Sequence, residues 1–192
     1  MEIKTGKIRC KFSFGFFALL AVYMLLDTKG FGVFMLCGVI IHELGHWAVL
    51  YSCGGCLERI EFAPYGIRME KRGFLSYREE AAVYAAGVLA NGIAVVICFA
   101  LKKTEGFAAV NLLLAVFNLL PIGRLDGGVL LKLAVCKAGY DQYADTVAAA
   151  FAFVLLIPLF CAAFWLASKG NASLLFTAFY LLGAQIFSKD SF

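Results

Sequence analysis

His42, Glu43 and His46 stand together in the run FMLCGVIIHELGHWAVLY, residues 34–51, and are its only strongly polar side chains. Residues four apart share a helix face, so His42 and His46 project the same way, about one turn apart. Two imidazoles so placed can grip one metal ion, and Glu43, the next residue along, is set to act on a water beside it. The pattern is H-E-x-x-H, which reads as two zinc ligands and a general base. The alternative is a pair of hydrogen-bonded core histidines with Glu43 in a structural ion pair. Against it stands the cost of an acidic side chain deep in an apolar span, about 3 kcal/mol on insertion scales, and such groups mark function by default. These two are also the only histidines in the chain.

A catalytic zinc site usually takes three protein ligands and leaves one position open. With no third histidine, the remaining choices are a carboxylate or a cysteine. Cys37 is five residues before His42 and points elsewhere. Cys53 lies two turns past His46. Asp27, Asp141 and Asp145 fall at the edges of apolar runs, the latter two where caps of the next helix are expected. Asp126 closes the run FNLLPIGRLDGG. Pro121 stops or kinks a helix, and Gly127 and Gly128 permit close backbone approach. The broken helix would carry Asp126 back towards the bilayer interior, where unwound backbone is tolerated only beside protein or a hydrated cavity. A helix-ending turn with a solvated Asp is the competing reading.

The elements that must position these groups are apolar. The 192 residues are 62% hydrophobic and 16% charged, with a mean hydropathy of +0.86. Runs of about 18 or more apolar residues read as membrane helices, and six candidate spans are expected, at 12–27, 31–53, 80–101, 106–121, 144–167 and 172–188. The fold class expected is an all-α polytopic membrane protein. The piece GGVLLKLAVCKAG carries Lys132 and Lys137 and is a poor spanner. The opening MEIKTGKIRCK is basic and reads as a cytoplasmic tail rather than a cleaved signal. RIEF and GIRMEK alternate like strands around Pro64 and Gly66, so a short hairpin near the cytoplasmic surface, between the second and third spans, competes with a plain loop. With the N-terminus in the cytoplasm, 13 of the 17 Lys and Arg residues fall on the cytoplasmic side, as the positive-inside rule requires. Both termini are then cytoplasmic. Seven cysteines are scattered, mostly in apolar runs. Cys53 and Cys56 form a CxxC without the second pair a zinc knuckle needs. The net charge of +4 is modest, and no nucleic-acid partner is expected.

These motifs together resemble the site-2 protease family of intramembrane zinc metalloproteases. The resemblance is carried by HELGH at 42–46, by Asn118, Pro121 and LDGG at 125–128, by FAPYG before the charged hairpin, and by REEAAVYAAGVLAN entering the third span. It runs from about Phe31 to Leu133 and covers the family's three-helix catalytic core. The basic tail, the short first helix and the NLLPI…LDGG run are most similar to the subfamily of the sporulation protease that matures the sigma-K precursor. Two positions depart from the pattern. Val88 stands where the family has a helix-entry Pro, and Arg124 where a Pro often precedes the ligand Asp.

The resemblance implies that His42, His46 and Asp126 bind one Zn2+ per chain and that Glu43 activates water. Asn118 would support the substrate or the site near the metal. Asn91 and Gly87 match the third-span motif and would serve in packing, with Pro121 and Gly127 as structural support. The chain would be a single intramembrane metalloprotease domain without an appended regulatory domain. It would lie in a bacterial inner or forespore membrane, cutting a membrane-associated protein near the cytoplasmic side, a sporulation pro-sigma factor being the specific candidate. Membrane inhibitor proteins and the lipid bilayer are the other expected partners. A metal transporter or sensor would use the same ligands but gives Glu43 no task. An inactive, helix-binding relative would be expected to lack Glu43 or a ligand.

Overall fold

The computed structural model describes residues 2–5, 8–27, 30–63, 66–73, 75–102, 105–123 and 125–186. Residues 1–115 and 116–192 form two compact units. Pro64 and Arg124 lie outside the described residues.

The first unit opens with strands β1 (Glu2–Thr5) and β2 (Ile8–Phe12), helix α1 (Phe14–Leu26) and helix α2 (Phe31–Ser52). Strands β3 (Cys56–Ala63) and β4 (Gly66–Arg72) follow, then α3 (Tyr77–Ala100) and α4 (Glu105–Asn118), which leads into the second unit. The expected hairpin is present, β3 pairing antiparallel with β4. The basic opening segment corrects the expectation of a tail, because it supplies two more strands and the sheet runs β1-β2-β3-β4. β2 pairs in parallel with β3, placing Phe12 opposite Phe62 and Lys11 opposite Glu61. The two rings stack at 4.6 Å, and the Lys11–Glu61 and Arg9–Glu58 pairs close at 3.0 and 2.9 Å. Cross-strand pairs of these kinds stabilise a sheet. They join segments that are distant in sequence, which is why a local reading saw a tail.

α2 and α3 are 22 and 24 residues long and apolar enough to cross a membrane. The amide of Gly32 donates to Asp27 Oδ2 at 2.5 Å, which places a carboxylate at the positive end of α2. α3 begins three residues earlier than its apolar run, because Ser76 and Glu79 form a capping box. Glu79 accepts the Ser76 amide at 2.8 Å, satisfying a donor that the helix end leaves open. α2 and α3 approach closely at Gly45, where an added Cβ would lie 2.6 Å from Ala86 O. Small residues allow this approach between membrane helices.

The second unit holds α5 (Asp126–Lys137), a 3-10 turn at Asp141–Tyr143, α6 (Ala144–Ser168) and α7 (Ser173–Ile186). Its core is Ile122, Ala152, Leu156 and Leu181, all 2% exposed or less. The stretch Asp141–Ser168 is the third segment able to cross a membrane, while α4 and α7 are shorter apolar helices of 14 residues each. α5, at 12 residues, rises only about 18 Å and falls short of a bilayer core. Asp141 and Asp145 do not cap α6 through their side chains. Asp145 instead pairs with Lys132 of α5 at 2.6 Å, since a lysine otherwise enclosed in this apolar unit needs an anion. None of the described cysteines forms a disulfide.

Gly45→Ala must push α2 from α3. It is expected to lower stability by about 1–3 kcal/mol, measured by thermal denaturation of the detergent-solubilised chain.

Candidate functional site

α2 carries His42 and His46 on the face that meets α3. Their rings stand edge-on at 4.6 Å between centroids, and the two Nε2 atoms face each other at 3.1 Å. The opposite ring nitrogens are both tied to α3. His42 Nδ1 lies 2.8 Å from Asn91 Oδ1, and His46 Nδ1 lies 2.7 Å from Val83 O. Both partners are acceptors, so each ring carries its proton on Nδ1 and turns a lone pair outward from Nε2. Two such lone pairs directed into one space repel unless a cation lies between them. This is the donor set zinc takes, with Nδ1 fixed by a carbonyl as metal-bound imidazoles usually are. The residues present therefore fit the metal that the sequence implied.

Gly87 makes the room. A Cβ there would fall 2.4 Å from His46 Nε2 and 2.8 Å from His42 Cε1. Asn91 is fully buried and uses its whole amide, donating to Gly38 O at 3.1 Å and to Asn111 Oδ1 at 2.9 Å while facing His42. Neither residue is mere packing, as the motif had suggested; each shapes the imidazole pair. Glu43 is half-buried beside His42 on α2. Val88, the departure at helix entry, sits half-buried within α3 without interrupting it.

In the second unit, α4 ends at Asn118 and the chain breaks at Pro121 before α5 restarts at Asp126. Asp126 is buried at 7% exposure in the first turn of α5. The break is compressed. A Cβ on Gly127 would lie 2.0 Å from Leu119 O, and one on Gly128 would lie 2.6 Å from Gly123 O. Gly123 takes a positive φ of 56°. Its amide donates to Gln185 Oε1 of α7 at 2.6 Å. Gln185 and Asn111 were not singled out from sequence. The signal that could have found them is a carboxamide inside an otherwise apolar helix. The first unit thus supplies His42 and His46 as metal-ligating side chains, and the second supplies Asp126.

Residues 103–161 match the profile of Peptidase family M50. Stage IV sporulation protein FB of Bacillus subtilis (strain 168) is 36% identical over 109 residues, which is 52% of this chain and 38% of that protein. The match thus spans about two fifths of the length of the curated relative. The solved structure of the Site-2 Protease from Methanocaldococcus jannaschii superposes with a TM-score of 0.73 at 21% identity, covering 100% of this chain and 96% of that one. The chain resembles the site-2 proteases of Peptidase family M50. The family match takes in Asn118, Pro121, Asp126 and Gly127, whereas the two histidines lie before it. The likeness to the archaeal protease is one of fold. Together with its apolar helices, these relations make the chain a membrane protein.

Gly87→Ala is expected to displace both imidazoles and weaken zinc binding by about 10–100-fold, read by competition with a chelator. Gln185→Leu leaves the Gly123 amide without its acceptor and is expected to cost about 1–3 kcal/mol of stability, with Gln185→Glu restoring most of it, by thermal denaturation of the metal-free chain.

Proposed function

We propose that the chain is an intramembrane zinc endopeptidase that cuts a membrane-associated protein near the cytoplasmic side of the bilayer. The observation that carries the proposal is the pair of Nε2 atoms facing each other at 3.1 Å, with both Nδ1 atoms held from behind and Glu43 adjoining. His42, His46 and Asp126 are the proposed ligands of one zinc ion. A zinc ion held there would supply Lewis acidity towards a water and the scissile carbonyl. Glu43 is the residue placed to take a proton from water and return it to the leaving amine. A transporter or sensor would need the ligands but leaves Glu43 idle.

The substrate backbone must open before it can be cut, because a helix keeps its carbonyls engaged. β4 is an edge strand of the sheet, and an edge strand can pair with an extended segment. The sheet is the proposed cradle for the unwound substrate, and Asn118 the side chain that steadies it at the centre. Removing the β3–β4 hairpin is expected to abolish substrate binding while zinc stays bound; intact cleavage by such a chain would refute the cradle.

The excess of Lys and Arg on one side, 13 of 17, supports cytoplasmic termini and a site opening to the cytoplasm. Likeness to Stage IV sporulation protein FB supports a role in sporulation; a sporulation pro-sigma factor as substrate, an inner or forespore membrane as the setting and membrane proteins as inhibitors are proposed from the subfamily resemblance of the NLLPI…LDGG run.

Co-expression with a membrane-associated pro-sigma factor tests the reading. Glu43→Gln is expected to lower cleavage by about 10²–10⁴-fold with zinc content unchanged. Zinc bound without cleavage by the wild type would favour a binding-only role, and a folded wild type without zinc would overturn the proposal.

A further inference from the structure

Asn111 lies in the middle of α4, fully buried among Ala108, Val110, Leu114 and Ala115 of the same helix. Its Nδ2 donates to Phe107 O, one turn back along α4, at 2.9 Å. Its Oδ1 accepts from Asn91 Nδ2 at 2.9 Å. Turned the other way, the amide would set oxygen against the Phe107 carbonyl and present its own N–H groups to those of Asn91. The backbone of α4 thus decides which end of Asn111 faces α3. The same logic passes to Asn91. Its two N–H groups are drawn to Asn111 Oδ1 and to Gly38 O, and its oxygen is left to accept from His42 Nδ1 at 2.8 Å.

We propose that Asn111 is a positioning residue for His42, acting through Asn91. By accepting from Asn91 it opposes rotation of that amide. An Asn91 turned end for end would donate to His42 Nδ1, move the ring proton to Nε2, and aim an N–H where a metal lone pair is required. Asn111 therefore keeps the tautomer that makes His42 a ligand. The inference rests on the metal reading of the preceding section and extends it to a residue on a third helix, outside the HELGH and LDGG motifs.

A buried carboxamide also holds membrane helices together, and the two roles differ in what they require. Helix adhesion needs a polar contact of any direction. The relay needs an acceptor pointing at Asn91. Asn111→Leu keeps the bulk and removes the acceptor. Asn111→Asp keeps the acceptor, and in its protonated form also keeps the donor to Phe107 O.

The test is zinc affinity by chelator competition on the full chain in detergent, with the melting temperature of the metal-free protein measured in parallel. Wild type, Asn111→Leu, Asn111→Asp and His42→Ala are compared. Asn111→Leu is expected to bind zinc about tenfold more weakly, the low end for outer-shell partners, and to melt lower without metal because an Asn91 N–H loses its acceptor. Asn111→Asp should return affinity to within about twofold of wild type on the same reasoning. Unchanged affinity in Asn111→Leu overturns the relay, as does a loss that Asn111→Asp fails to restore. An Asn111→Leu chain that does not fold, beside an Asn111→Asp chain that folds but binds zinc about tenfold more weakly than wild type, assigns Asn111 to helix adhesion and overturns it too. Zinc binding that survives in His42→Ala, or is lacking in the wild type, overturns the metal reading itself, and the relay falls with it.

Discussion

A polar side chain enclosed among apolar helices loses roughly 2–7 kcal/mol unless it finds a hydrogen-bond partner, and lipid offers none. In the first unit this constraint falls on His42, Asn91 and Asn111, all buried. Each is answered by another or by a backbone carbonyl: His42 by Asn91, Asn91 by Asn111 and Gly38, Asn111 by Phe107. The network satisfies itself behind the imidazoles, on their Nδ1 side. A pair arranged this way would need little reorganisation to take an ion, because its tautomer is chosen by groups on the far side of the rings.

The network works only if three helices come close enough for short side chains to span the gaps. Glycine supplies that closeness. Gly45 sits against the carbonyl of Ala86, Gly38 against Leu114, and Gly87 directly over both imidazoles. The second unit meets a different constraint, an interrupted helix whose exposed backbone must be satisfied within protein. Pro121 removes one donor at the break. The Gly123 amide is taken by Gln185, and Ile122 is anchored in the core with Leu156 and Leu181. α7, remote in sequence from Asp126, thus braces the turn that presents it.

The relatives bear on these parts unequally. The family match covers the Asp126 turn and not the histidines, while the likeness of fold to the archaeal protease extends over the whole chain. The histidines rest instead on the local geometry of α2 against α3, which has the hydrogen bonds a metal-binding imidazole pair needs.

Much of this was legible in the chain. Helices α2, α3 and α6 follow from long apolar runs, the hairpin from alternation around a turn, and the pairing of His42 with His46, Glu43 beside them, from a spacing that one helix converts into one face. Those features are local, and local periodicity and cost of burial determine them. The parallel pairing of β2 with β3 was not legible, since its partners are separated by two helices. Nor were the ion pair of Asp145 with Lys132, the brace from Gln185, or the part Asn111 plays behind His42. In each case the sequence supplied a polar group in an apolar setting and so determined that a partner must exist. Which partner it finds depends on which helices approach and at what height, and that only the tertiary structure decides.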